Sequence, residues 1–370
     1  MHFECHVHVQ ETLACPCGAH VVTAEGPRRP LDKCQYGASF IAHLVTMKCG
    51  DALPLHRLEK HYKRIGVPVA RSTMTDLFHG AAEKLVPLYN RLMALIAAAD
   101  LVQADETPLR VQAQKKTRKG YLWTFLAGDL IGFRFSPSRS GETPRQVLGA
   151  TNGTLVVDGY TGYNAVCVPD SRTRAGCWSH VRRKFFDART TAPEANQVLD
   201  HILELFRVER EAADRRIVGS EAHLTLRQTR SSATLDVIKA WLDAEQPKHL
   251  PQGAMGKAIG YAQNQWAELN HFLTDARIPI HNNSSERALR SAALGRKNFL
   301  FVGHDDAGQN TAVLYSLVAT CEAHGVSPLA YLADVLLRLD DHPAKAKNDP
   351  LPHRWKPPNH ATATEAPQPP

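Results

Sequence analysis

Three carboxylates stand in marked settings. Asp105 closes the run Leu101-Val102-Gln103-Ala104, Asp158 closes Thr154-Leu155-Val156-Val157, and Glu286 follows His281-Asn282-Asn283-Ser284-Ser285. A short apolar, β-branched run that ends on an acid and is broken by glycine, as at Gly159, reads as a buried strand delivering a carboxylate to its edge. A carboxylate there is costly to bury unless it is hydrogen-bonded, paired or bound to a cation. Three of them on a sheet and an adjacent helix predict a cation, and oxygen donors with few thiolates or imidazoles suit magnesium or manganese. Two such ions, about 3.5–4 Å apart, stabilise both the attacking and the leaving oxygen of an in-line phosphoryl displacement. Lys115, Lys116, Arg118, Lys119, Arg182, Arg183, Lys184, Arg287, Arg290, Arg296 and Lys297 flank the acids and suit phosphate contacts. Each acid also has a plainer reading: aspartates form turns, and Glu286 can favour a helix start beside Asn282 and Asn283 as caps.

The elements that must position these groups follow from length and pattern. With 370 residues the chain can bury a sizeable core. Its 44 Lys and Arg against 37 acids, a formal charge of +7 and a pI near 9.0, favour a polyanionic partner. No long uncharged apolar run exists, and the opening Met1-His2-Phe3-Glu4 lacks the pattern of an export signal, so a cytoplasmic, nucleoid-associated location without membrane contact is expected. The eight cysteines give no disulfide framework. Cys15 and Cys17 are separated by one residue and have no second pair at knuckle spacing, so a small hairpin with reduced thiols is expected in place of a structural zinc site.

Along the chain the pattern predicts a cysteine-containing segment over 1–36 and a helical, DNA-binding region over 37–99. In the latter, short helices flank Gly66-Val67-Pro68, one carries the basic run His56 to Arg64, and Ser72 and Thr73 cap the next; a plain helical spacer has the same outline. Strands follow at 101–105, 120–126 and 130–135, then a short helix near Arg145 and the Asp158 strand, giving an α/β layer with a mixed sheet over 100–186. Residues 187–275 read as wholly helical, 276–340 as a helix from Ser284 and two apolar helices, and 341–370 as a disordered, proline-rich tail.

Six ordered motifs resemble one family. They are Ala104-Asp105-Glu106-Thr107-Pro108, Gly120-Tyr121-Leu122-Trp123, Val157-Asp158-Gly159-Tyr160-Thr161-Gly162-Tyr163, Gly176 to Phe186, Asn282 to Arg290, and Gly295-Arg296-Lys297-Asn298. Together they resemble the insertion-sequence transposases of the IS66 family, from about residue 36 to Trp355. The resemblance implies a ribonuclease-H-like catalytic domain with an Asp-Asp-Glu (DDE) triad, interrupted by a helical insertion before the last acid. Carried over, the triad falls on Asp105, Asp158 and Glu286, holding two Mg2+ or Mn2+ ions. Cys177 and His180 match a Cys-x-x-His element and, with Asn283, are accessory candidates. The implied activity is cutting of element ends and joining of their 3′ hydroxyls to target DNA, by a homo-oligomer on DNA with accessory proteins encoded by the element. The alternatives are a truncated, catalytically impaired DNA-binding remnant, or a ribonuclease-H-like nuclease acting on other nucleic acids. Two departures are visible: His281 stands where relatives carry Asp, and the chain begins inside a region that is longer in relatives.

Overall fold

The computed structural model describes residues 3–341 and 350–357. Its elements in chain order are β1 (Thr12–Ala14), β2 (Val21–Thr23), α1 (Ala38–Cys49), α2 (Leu55–Arg64), α3 (Arg71–Ala97), β3 (Leu101–Ala113), β4 (Lys116–Ala127), β5 (Leu130–Ser136), α4 (Glu142–Leu148), β6 (Gly153–Val156), β7 (Arg172–Ala175), α5 (Trp178–Ala188), α6 (Ala195–Asp214), α7 (Glu221–Leu226), α8 (Ser232–Glu245), α9 (Ala254–Gln263), α10 (Trp266–Asn270), α11 (Asn283–Phe299), α12 (Asp305–Ala323) and α13 (Pro328–Arg338). They fall into two units, one of Met1–Arg91, Leu294–Leu300 and Val313–Pro370, the other of Leu92–Ala293 and Phe301–Ala312.

In the first unit, β1 and β2 pair as an antiparallel hairpin whose connection carries Cys15 and Cys17, both exposed and free. Helix α2 buries Leu58 and Tyr62 and exposes Arg57, Lys60, Lys63 and Arg64, as an amphipathic helix with a solvated basic face should. The α3 helix starts at Arg71, ahead of the expected Ser72 and Thr73 cap. The reason is that Glu59 Oε1 accepts the Arg71 N–H at 3.1 Å, supplying from α2 what a capping side chain would supply locally. Lys48 of α1 is buried beside two aromatic rings, its Nζ 4.3 Å from the centre of Phe299 and 5.2 Å from that of Phe78. Most of the tail expected to be disordered lies outside the described residues. The described stretch 350–357 is packed instead: Leu351 is buried, and the Trp355 indole N–H donates to Asp334 Oδ2 of α13 at 2.7 Å.

The second unit holds a five-stranded mixed sheet in the order β5-β4-β3-β6-β7. The first three strands are antiparallel neighbours, whereas β6 pairs parallel to β3 and β7 parallel to β6. Strands β3 and β4 run further than the apolar pattern predicts, to a hairpin at Gln114 and Lys115, because polar residues alternate with buried Leu109 and Val111 along the extension. Every regular element between β7 and α11 is helical among the described residues. Trp178, Val181 and Phe185 of α5 pack with Ile202 and Leu205 of α6, Leu235, Ile238 and Leu242 of α8, Ile259 of α9, and Val156 and Ala175 of the sheet. Two buried arginines satisfy backbone carbonyls that end elements. Arg172 donates to Ala97 O and Ala99 O at 2.7 and 3.0 Å, and Arg227 donates to Phe272 O and Ile278 O while pairing with Glu209 at 2.6 Å.

Candidate active site

Asp105 and Asp158 follow from neighbouring parallel strands. Leu101, Val102 and Gln103 pair with Thr154, Leu155 and Val156; Asp105 lies two residues further along β3, and Asp158 two residues past the end of β6, near enough for its charge to raise the Asp105 carboxyl. Because side chains alternate along a strand, Gln103 and Asp105 share one face. Each carboxylate has one oxygen held by its own following backbone: Glu106 N–H donates to Asp105 Oδ1 at 2.8 Å, and Tyr160 N–H donates to Asp158 Oδ1 at 2.9 Å. Gly159 is required between them and the helices. A Cβ there would meet Tyr261 and Gln265 at 2.6 Å, and the Gly159 N–H donates to the Tyr261 hydroxyl at 3.0 Å.

Glu286 arrives on the first turn of α11. Its Oε1 lies 3.6 Å from His180 Nε2 and its Oε2 3.5 Å from an Arg183 guanidinium nitrogen, both on α5. The residue that ties α11 to the strands is Asn282. Fully buried, it donates its side-chain amide to Ala104 O at 2.6 Å and its backbone N–H to Cys177 Sγ at 3.2 Å, while its carbonyl accepts from the Ser285 hydroxyl at 2.9 Å and from Glu286 N–H at 3.4 Å. One residue, through its side chain and its backbone, thus joins the residue before Asp105, the residue before α5 and the helix bearing Glu286. Sequence reasoning sees Asn282 as a helix cap; its carbonyl does receive the first helical bonds, but its side chain reaches across to the sheet. The adjacent Asn283 gives its N–H to His281 Nδ1 at 3.5 Å. His281 itself stacks on Phe206 at 6.1 Å with an interplanar angle of 15°, so an aromatic contact with α6 accounts for an imidazole there.

The electrostatics are those of crowded, partly desolvated acids. Burial, reinforced by the charges of Glu106, Asp158 and Glu286, pushes the Asp105 carboxyl up to about 7. Burial lowers the His180 imidazole, against the opposing pull of Asp158 and Glu286. Cys177 is buried, and burial raises its thiol. Glu106, next in sequence but on the other face of β3, is by contrast fully engaged: it pairs with Arg139 and accepts the buried Tyr163 hydroxyl at 2.6 Å. Arg139 also lies over the Tyr160 ring, 4.0 Å from its centre. Tyr163, Arg139 and Tyr261 escape sequence reasoning, since nothing in their local spacing marks them.

Among the described residues no three His, Cys, Asp or Glu side chains close on a point as a ready-made metal site. The donor chemistry nevertheless fits a hard divalent cation. Glu286 Oε1, Asn282 Oδ1 and His180 Nδ1 are buried without hydrogen-bond partners, and in the same place burial and the neighbouring acids disfavour a charge on Asp105 that a cation would stabilise. Rotation of the carboxylates about their side-chain torsions is what such an ion would require.

The flanking cations are not all gathered here. Arg182 and Arg183 lie exposed on α5, and Arg287 and Arg290 exposed on α11. Lys115, Lys116 and Lys119 are exposed at the β3–β4 hairpin, which β3 reaches at Ala113, roughly 26 Å along an extended strand from Asp105. Arg118 is half-buried and paired with Asp305. Arg296 and Lys297 fall in the first unit.

The mixed sheet with its clustered acids gains a family from comparison with known proteins. The family model for the transposase IS66 family matches residues 33–310, and that for the IS66 C-terminal element matches residues 316–353, so the chain belongs to the IS66 transposase family. It is similar to three uncharacterized proteins of Sinorhizobium fredii. It is 29% identical to y4hP over 381 residues, covering 96% of this chain and 68% of y4hP. It is 33% identical to y4jD over 351 residues, covering 90% and 68%, and 31% identical to y4qI over 358 residues, covering 91% and 66%. The chain therefore spans about two thirds of the length of these relatives. No helix among the described residues is long and apolar enough to cross a membrane.

Proposed function

We propose that this chain is a DDE-type DNA transposase that cuts insertion-element ends and joins the exposed 3′ hydroxyls to target DNA, with Asp105, Asp158 and Glu286 as its metal-holding acids. The observation that carries the reading is the parallel β3–β6 pairing, which leads to Asp105 within β3 and to Asp158 two residues past the end of β6, with Glu286 tethered to β3 through the Asn282 amide. The strand order β5-β4-β3-β6-β7, with three antiparallel strands followed by two parallel ones, supports a ribonuclease-H-like core. The all-helical stretch between β7 and α11 supports a helical insertion ahead of the last acid.

In this reading the oxygens of Asp105, Asp158 and Glu286 hold Mg2+ or Mn2+. When bound, such ions activate the attacking oxygen and neutralise charge on the phosphate and leaving oxygen. The protein's own groups do the rest. Backbone N–H donors from Glu106 and Tyr160 hold one oxygen of each aspartate and leave the second to face the site. Asn282 fixes the depth of α11, and Arg182 and Arg183 supply positive charge for the scissile strand's phosphates. Oligomerisation on DNA and accessory proteins from the same element belong to the same proposal.

The test is a cleavage and strand-transfer assay on DNA carrying the element's terminal repeats, with and without Mg2+. Wild type should nick the ends and join them to target only with the ion, while Asp105→Asn, Asp158→Asn and Glu286→Gln should each bind the DNA and leave it intact. Near-normal cleavage by any one variant removes that residue from the set. Binding with no Mg2+-dependent cleavage by wild type would favour the impaired remnant instead.

A further inference from the structure

The outer face of helix α5 carries, beside the arginines already placed near the scissile strand, an aromatic ring that the chemistry above does not use. Trp178, Val181, Phe185 and Ala188 turn inward, leaving Arg182, Arg183, Phe186 and Arg189 on the outer side. Phe186 is 39% exposed, the most solvent-accessible phenylalanine of the second unit's helices, although its neighbour Phe185 is fully buried. Two guanidinium groups address its ring: that of Arg189 lies 3.5 Å from the ring centre and that of Arg182 5.8 Å from it. Arg183, one turn back along the same face, has a guanidinium nitrogen 3.5 Å from Glu286. One helical turn is about 5 Å, comparable to the advance of one or two nucleotides along a strand.

From this arrangement we infer that Phe186, with Arg182 and Arg189, is a stacking site for an unpaired base of a DNA strand whose neighbouring phosphate lies near Arg183. An exposed aromatic ring with one guanidinium close on it and a second further off offers what a base requires, a π-surface for the ring and cations for the flanking phosphates. Duplex DNA keeps its bases stacked on one another and has no free face to give Phe186, so the site selects strand ends, overhangs or bases extruded next to a cut. The inference rests on the proposal that the chain acts on DNA.

The test uses the full-length protein and two probes of mixed sequence, a blunt duplex and a duplex with a single-stranded 3′ overhang containing 2-aminopurine. Wild type should bind both with a steep salt dependence, prefer the overhang, and quench 2-aminopurine fluorescence. Phe186→Ala and Phe186→Leu should weaken overhang binding by about 5- to 150-fold and abolish the quench, with duplex affinity within about twofold of wild type. Phe186→Trp should keep both signals. Overhang affinity and quench that survive Phe186→Ala, while wild type still binds duplex, would overturn the stacking site and leave the DNA reading standing. Equal loss of duplex and overhang binding together with a lower melting temperature in Phe186→Ala and Phe186→Trp would show the ring to be structural and overturn it likewise. Failure of wild type to bind either probe at low salt would overturn both readings.

Discussion

Asp105 and Glu106 are adjacent carboxylates with opposite fates. Glu106 is neutralised by Arg139 and Tyr163, whereas Asp105 has one backbone donor and three acids for neighbours. An acid held near 7 when folded and near 3.8 in its ordinary state keeps in the folded chain a proton that the unfolded chain has lost. Its contribution to stability therefore declines as pH rises from about 4 to about 7. Metal-free wild type should show this decline in melting temperature, Asp105→Asn should flatten it, and Mg2+ at pH 8 should raise the melting temperature of wild type more than that of the variant. Equal Mg2+ responses would place the ion elsewhere. Asn282 gives a second prediction at this scale. Asn282→Ala removes the bond to Ala104 O and leaves that buried carbonyl unpaired, a cost of about 1–3 kcal/mol readable in urea unfolding. Cleavage should fall further than this loss of stability explains, since Glu286 loses its tether; unchanged turnover per folded molecule would make Asn282 purely structural.

Along the β3–β4 pair Asp105 lies opposite Thr124 and an exposed cationic tip lies at the far end. Exposure leaves the tip's lysines able to meet phosphates. Neutralising Lys115, Lys116 and Lys119 together should flatten the dependence of log affinity on log salt by roughly 0.9 for each phosphate no longer engaged. Arg118→Gln should do less, because Asp305 already engages that guanidinium. An unchanged slope in the triple variant would mean the tip is a solvated turn. Elements such as these are legible in the sequence to different degrees. Short apolar runs and turn residues mark β4, β5 and β6, because a strand covered on both faces is apolar almost throughout. The start of α3 escapes the local pattern because its first N–H is satisfied by Glu59 from another helix, a partner twelve residues away that no nearby residue announces. The acids stand out by their setting, although Asp105 lies inside β3 and does not end it. The contacts Asn282 to Ala104 and Glu106 to Tyr163, however, span 178 and 57 residues and become visible only with the fold.

For the molecule as a whole, a net charge of +7 and a basic face on α2 supply long-range attraction to a polyanion, while the acids of the second unit oppose it locally. Those acids lie by a junction of β3, α5 and α11 where the buried Cys177 accepts the Asn282 N–H. A buried sulfur in that position is also a clock. Thiol reagents reach Cys5, Cys15 and Cys17 directly, since all three are exposed, but can reach Cys177 only when the junction opens. The labelling half-life of Cys177, followed by peptide mass spectrometry, therefore measures how often strand and helices part. Mg2+ and DNA should lengthen that half-life if they draw the three acids together, and a half-life indifferent to both would mean that the junction is already as tight without them.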